Sequence, residues 1–250
     1  MDLESLVAYL DDYLGVVGHP DYADAHNGLQ VWGTRPVGRV GVAVDASEAT
    51  LAAAIQRGCD VLVVHHGLFW GGAAPLTGRR YRKAKLLLDA GLALYSAHLP
   101  LDAHPEVGNS AVLARALGVE IEGPFGDYKG ASLGWYGRLD TPREMLTTRI
   151  EETVGGAVRL IGGGPARVRK VAVVTGGGGS LIGEAARAGM DALITGEGAH
   201  HTYFDAMELG VNVYYAGHYA TETWGVRALA LHLETEHGLA WEFLDFPTGL

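Results

Sequence analysis

Histidine and carboxylate side chains follow apolar, strand-like runs at four places in this chain. Val61-Leu62-Val63-Val64 leads into His65-His66-Gly67, and Leu92-Ala93-Leu94-Tyr95-Ser96 leads into His98, Asp102 and His104. Ala192-Leu193-Ile194-Thr195 leads into Gly196-Glu197 and then His200-His201, and Val211 to Tyr215 leads into Gly217-His218 and Glu222. In open α/β sheets ligands gather at the carboxyl ends of strands, so residues placed there can converge. His65, His66, Asp102, His218 and Glu222 together offer three imidazoles and two carboxylates. That mixed nitrogen and oxygen set suits Zn, Fe, Mn or Ni, and the lack of cysteine ligands argues against a structural zinc site. Five ligands exceed one tetrahedral site. They point to two ions with a bridging carboxylate, an arrangement that activates water and stabilises both attacking and leaving oxygens.

Each piece also has a plainer reading. Adjacent histidines in a regular strand point to opposite faces. At a strand end, with Gly67 helping the backbone to turn, they can reach two ions, or one ion and one neighbouring group; a packed or capping pair is the alternative. His218 and Glu222 lie four apart around a helix start expected near Ala220, with Thr221 as a candidate cap. A carboxylate suits that position through the helix dipole alone. Asp102 falls in a segment expected to be a rigid loop, because Pro100 and Pro105 deny it helix; an aspartate in a turn is common. His104 reads as a surface residue. Gly176-Gly177-Gly178-Gly179-Ser180 lies between a strand and a helix, the setting of a phosphate-cradling turn. It matches neither the G-x-x-x-x-G-K-[ST] nor the G-x-G-x-x-G spacing, so a plain tight turn is favoured. Cys59 reads as core. Phe69 and Trp70 could wall a base, against a default of core packing.

The elements that must position these groups alternate. Leu3, Leu6, Val7, Leu10 and Leu14 share one helical face. A strand is expected over 39–45, a helix capped by Ser47 that stops near Gly58, then strands at 61–64 and 92–96 separated by a helix over 81–90. A helix follows over 108–117. The second half repeats the grammar, with strands at 171–174, 192–195 and 211–215, helices over 180–188, 200–209 and 221–236, and a closing strand over 241–246. Such alternation predicts an α/β fold built as two similar domains with largely parallel or mixed sheets. The expected domains are 1–125 and 126–250, interlinked, with a boundary near 123–130. The stretch 123–169 reads as the least regular.

The 250 residues carry 19 Lys+Arg against 29 Asp+Glu, a formal charge of −10, and 48% are hydrophobic. That composition predicts a folded core rather than disorder. The acidic balance argues against nucleic acid or an anionic membrane as partner. The single cysteine, an acidic N-terminus and the lack of a run of about 20 apolar residues predict a cytoplasmic protein.

Five stretches resemble one known family. They are Asn27-Gly28-Leu29-Gln30-Val31, Val63-Val64-His65-His66-Gly67-Leu68-Phe69-Trp70, Ser96 to Pro105 (Ser-Ala-His-Leu-Pro-Leu-Asp-Ala-His-Pro), Ile194-Thr195-Gly196-Glu197, and Ala216-Gly217-His218-Tyr219-Ala220-Thr221-Glu222. With them the chain resembles the Nif-three-like dinuclear-metal-centre proteins, also called GTP cyclohydrolase I type 2 homologues, over essentially its whole length. The resemblance implies two similar α/β domains, a dinuclear centre between them and a toroidal homohexamer. It implies His65, His66, Asp102, His218 and Glu222 as ligands of two divalent ions, with His98 and Glu197 as catalytic or supporting groups beside them. It implies a metal-dependent hydrolase acting on a small molecule, a purine nucleotide as for GTP cyclohydrolase. The alternative is a non-enzymatic metal-binding or metal-trafficking protein, or an assembly scaffold. A nucleotide-binding α/β protein without metal is disfavoured by the missing lysine in the glycine loop.

Overall fold

Apolar residues at a spacing of three and four put Leu3, Leu6 and Leu10 on the buried side of the first helix, α1 (Leu3–Tyr13), whose start is capped by the Asp2 carboxylate accepting the Ser5 N–H at 2.8 Å. The computed structural model describes residues 1–72 and 74–250. Two compact units emerge, one of residues 1–107 with 225–246, the other of residues 108–224 with 247–250.

The first unit continues with β1 (Gly28–Val31), β2 (Arg39–Asp45), α2 (Glu48–Gln56), β3 (Val61–His66), α3 (Gly78–Ala90), β4 (Ala93–Ser96) and α4 (Leu99–Ala103). Ser47 caps α2, its hydroxyl accepting the Thr50 N–H at 3.0 Å. The sheet runs β1-β4-β3-β2, and a last strand from the chain's end lies beyond β2. β2, β3 and β4 are parallel, and β1 is antiparallel to β4. Both faces of the sheet are covered. Val61 and Val63 of β3 join Leu6, Leu10 and Leu233 on one side, while Leu62 and Val64 join Leu51, Ala54 and Leu87 on the other. That is the two-residue alternation of a strand buried on both faces.

α4 corrects the expectation of a loop. Pro100 sits in its first turn, where a missing N–H removes no helical bond and a fixed φ suits the helix. The Leu101 and Asp102 N–H groups both donate to the His98 carbonyl, at 2.9 and 3.1 Å.

The second unit comprises α5 (Asn109–Ala116), β5 (Glu120–Tyr128), β6 (Ala131–Pro142), α6 (Arg143–Val154), β7 (Arg159–Gly162), β8 (Arg167–Val173), a short 3-10 turn at Gly178–Leu181, α7 (Ile182–Arg187), β9 (Ala192–Thr195), α8 (Thr202–Leu209) and β10 (Asn212–Tyr215). Its sheet order is β5-β6-β8-β9-β10-β7, parallel at β8-β9-β10 and antiparallel elsewhere. The 20-residue helix α9 (His218–His237) starts in this unit, and its later turns, from Gly225, belong to the first. The chain then closes with β11 (Ala240–Phe243), parallel to β2 at the edge of the first sheet.

The stretch 123–169 is more regular than expected, since it holds most of the β5–β6 hairpin, α6 and β7. Glycines hid the pattern. A Cβ at Gly134 would meet the Val173 carbonyl oxygen and one at Gly137 the Glu120 carbonyl oxygen, so both positions need close backbone approach inside the strands. Register shifts between Ile121 and Gly123 and between Arg138 and Thr141 break the two-residue alternation further. Residues 123–130, where the sequence suggests a boundary, lie in β5 and its turn. Among the described residues, no helix is long and apolar enough to cross a membrane.

Candidate metal centre

In the first unit the ends of β3 and β4 deliver three imidazoles to one place. The His65 and His66 rings lie 4.8 Å apart between centroids, and His98 lies 4.9 and 5.6 Å from them. One ring nitrogen from each of the three falls within 4.8 Å of the others, a group that could hold a metal ion. Both His65 and His66 belong to β3, and the end of the strand lets their rings approach although their Cβ atoms alternate.

The ring nitrogens are assigned by their partners. His65 Nδ1 lies 3.0 Å from the Ala97 carbonyl oxygen, His66 Nδ1 2.9 Å from Asp45 Oδ1, and His98 Nδ1 2.8 Å from Asp21 Oδ1. Each oxygen accepts, so each Nδ1 donates and Nε2 is the ring nitrogen left to face a metal ion. This is the pattern by which ligating histidines are held in one tautomer and orientation. His65 Nε2 in turn faces Asp102 Oδ2 at 3.5 Å, both side chains being almost fully buried. A nitrogen and a carboxylate facing each other in a low-dielectric interior call for a cation with them, a proton or a metal ion. These nitrogen and oxygen donors could hold a metal ion.

The second unit repeats the device. His218 opens α9, two residues earlier than the helix start expected at Ala220. Its Nδ1 lies 2.8 Å from Glu197 Oε1, at the end of β9, and its Nε2 lies 3.1 Å from Glu222 Oε1, one turn along α9. The hydrogen bond to Glu222 is the main reason why the imidazole is pushed up to about 9; burial opposes this, and Glu197 adds to it. The two carboxylates thus favour a positive charge at this position, a proton on the ring or a metal ion in its place. Thr221 does not cap α9 from outside. It sits inside the first turn, its hydroxyl accepting the Gly176 N–H at 3.1 Å.

The glycine run behaves as a tight turn. The Gly178 N–H donates to Thr195 Oγ1 at 2.9 Å and the Gly179 N–H to the Glu197 carbonyl at 3.1 Å, so these amides bind protein rather than phosphate. Gly176 has φ +64, and a Cβ there would meet Glu222 Oε1 and come within 3.4 Å of His218 Nε2.

Two residues absent from the sequence-based set lock the rings. The Asp21 side chain is nearly enclosed and accepts from His98 Nδ1, from Asn27 Nδ2 at 2.8 Å and from the Leu99 N–H at 3.0 Å. Burial pushes its carboxyl up, but the His98 and Asn27 contacts outweigh it and hold the pKa below the ordinary aspartate value. Asp45 ends β2 beside His66, and applying the strand-end rule to β2 would have found it; Asp21, in an irregular loop, left no such signal. His104 is half-buried, with Nε2 3.0 Å from the Tyr13 carbonyl and Nδ1 accepting the Val107 N–H, so it braces α1 and is not a bare surface group. His200 and His201 are exposed ahead of α8. We predict that Asp45→Ala, which frees the His66 ring to rotate and change tautomer, weakens metal binding about 10- to 100-fold without unfolding the chain. Metal titration by calorimetry checks this, and an unchanged affinity would contradict the orienting role.

Comparison with known proteins covers the whole chain. A family model described as Duf34/NIF3 (NGG1p interacting factor 3) matches residues 1–248. A Deinococcus radiodurans protein called GTP cyclohydrolase 1 type 2 homolog is 47% identical over 99% of this chain and 94% of its own. One of the same description from Halobacterium salinarum is 45% identical, covering 100% of both chains. Among solved structures, TTHA1606 from Thermus thermophilus superposes with a TM-score of 0.91 at 43% identity over 100% of both chains. Reduced HcgD from Methanocaldococcus jannaschii superposes with a TM-score of 0.85 at 27% identity over 98% of each chain.

Proposed function

The chain belongs to the Duf34/NIF3 family, and we propose that it is a dinuclear metal-binding protein that hydrolyses a purine nucleotide in a metal-dependent reaction. The observation that carries the metal reading is the common orientation of His65, His66, His98 and His218. Each has Nδ1 held by an oxygen, and Nε2 points away from it. The proposed ligands are His65, His66, Asp102, His218 and Glu222, with Asp102 and Glu222 supplying the negative charge that two divalent ions require. The nucleotide reading is supported by the names of the relatives, GTP cyclohydrolase 1 type 2 homologs. Two such ions, when bound, supply a water of lowered pKa and stabilise charge on the reacting oxygens.

The chain's own groups divide the remaining work. His98, held by Asp21 through Nδ1, keeps Nε2 ready to accept or return a proton at the edge of the centre. Glu197 is more than half exposed and orients His218, and it is a second group able to take a proton. The assembly that goes with this reading is a toroidal homohexamer, which light scattering would report as six times the chain mass.

The test is metal content per chain by mass spectrometry, followed by turnover of GTP and other purine nucleotides with the metal found. Turnover abolished by EDTA and restored by metal supports the proposal. A metal-loaded protein that turns over no nucleotide and yields its ions readily to a chelator would favour metal trafficking instead. His65→Ala losing metal while keeping GTP turnover would exclude the mechanism.

A further inference from the structure

The rim of the histidine cluster in the first unit carries two large aromatic side chains that burial does not explain. Trp70 is 43% exposed and Tyr22 50% exposed. The Trp70 ring lies 4.7 Å from His98 and 5.4 Å from His66, and Tyr22 lies 6.2 Å from Trp70 at an interplanar angle of 76°. The two rings form a corner beside the proposed ligands.

The backbone that carries both rings is held in place. Tyr22 follows Asp21, whose carboxylate locks His98 and also accepts the Tyr22 N–H at 2.6 Å. Trp70 follows His66 in a loop pinned on either side. Gln30 Oε1 accepts the Leu68 N–H at 2.7 Å, and Arg80 Nη1 donates to the Gly72 carbonyl at 3.0 Å. A Cβ at Gly67 would run into the Gln30 amide, so the Gln30 side chain packs directly against the loop there. A tryptophan kept half in water by a preorganised loop next to a buried polar cluster leaves apolar surface unburied, which a flat ligand would cover.

We propose that Trp70 and Tyr22 form the seat for the planar heteroaromatic ring of the ligand, the base stacking on one ring and meeting the edge of the other. This deepens the nucleotide reading and rests on it for the identity of the ring. Aromatic side chains stack on any base, so the corner supplies affinity for a base rather than a choice among bases.

The experiment measures binding of GTP, guanosine and inorganic tripolyphosphate to the metal-loaded full chain by calorimetry, with metal content recorded for each variant. Trp70→Ala is expected to weaken guanosine and GTP at least tenfold and to leave tripolyphosphate within twofold, with metal content unchanged. Trp70→Phe, which keeps a stacking face, is expected to stay within threefold, and Tyr22→Ala to weaken guanosine severalfold. Guanosine binding unchanged in Trp70→Ala overturns the proposal, whether or not GTP is hydrolysed. Equal loss for tripolyphosphate, or loss of metal, also overturns it, since Trp70 would then be shielding the histidines. Guanosine bound through Trp70 without any turnover upholds the seat and removes the hydrolase. No binding of guanosine or GTP by the wild type removes both.

Discussion

Replacing His65 with alanine is expected to abolish most of the thermal stabilisation that a divalent ion gives this protein. A ligand that binds only the folded state stabilises it by RT ln(1 + [L]/Kd), about 2.7 kcal/mol when the ion is present at 100 times its Kd. For chains of 150–250 residues each kcal/mol is worth about 2–4 °C, so the wild type should gain about 5–11 °C. His65 is fully buried at the end of β3, its Nδ1 on the Ala97 carbonyl and its Nε2 facing Asp102. Losing a partner that merely orients a ligand weakens metal binding about 10- to 100-fold, and losing a ligand should cost at least the upper figure. At the same ion concentration the variant would then sit near its Kd, where the same expression gives about 0.4 kcal/mol, or about 1–2 °C. The metal-free proteins supply the control. The metal-free variant should itself lose about the 2–5 kcal/mol of an ordinary large-to-small core change, so each metal-induced rise is read against the same chain without metal. Differential scanning fluorimetry with and without metal reads both effects. An undiminished metal-induced rise in His65→Ala would remove His65 from the proposed ligands.

How much of this is visible in the residues depends on how local the cause is. β3 announces itself by four β-branched or apolar residues in a row, and its end by His65-His66-Gly67, because a strand covered on both faces is apolar throughout. The same holds for β4 and β9. The gathering of His65, His66 and His98 in one unit, and of Glu197 and His218 in the other, is therefore legible from apolar runs and the polar residues at their ends. Partners that come from distant chain are not. Asp21 reaches His98 across 77 positions from an irregular loop. β11 pairs with β2, Trp241 beside Val40, so the chain's last strand completes the first unit, a return that no local pattern encodes. α4 is hidden for a different reason. Pro100 reads as a helix breaker, although in a first turn it has no helical bond to break. In β5 and β6, glycines that admit close backbone contact and register shifts remove the alternation by which strands are recognised.

Gly176→Ala should harm the second half of the centre more than its stability alone explains. At φ +64 an alanine costs about 1–2 kcal/mol through its Cβ. That methyl group would also meet Glu222 Oε1, with His218 Nε2 close behind, in a place where both partners are fixed. His218 is held by Glu197 through Nδ1, and Glu222 is almost fully buried one turn along α9, so neither can withdraw without disturbing the start of that helix. Overpacking of this kind adds about 1–3 kcal/mol, for a total of about 2–5 kcal/mol. Gly189 separates the two contributions. It lies in the same unit at φ +70 with nothing within 4 Å of an added methyl group, so Gly189→Ala carries the backbone cost alone. The expected result is a Tm about 2–8 °C lower for Gly189→Ala and about 4–20 °C lower for Gly176→Ala. Metal binding should be weakened only in Gly176→Ala, because only there does the added carbon displace the Glu222 carboxylate. Equal losses of stability with metal affinity intact in both variants would show that Glu222 gives way freely, and would contradict a rigid placement of this carboxylate beside His218.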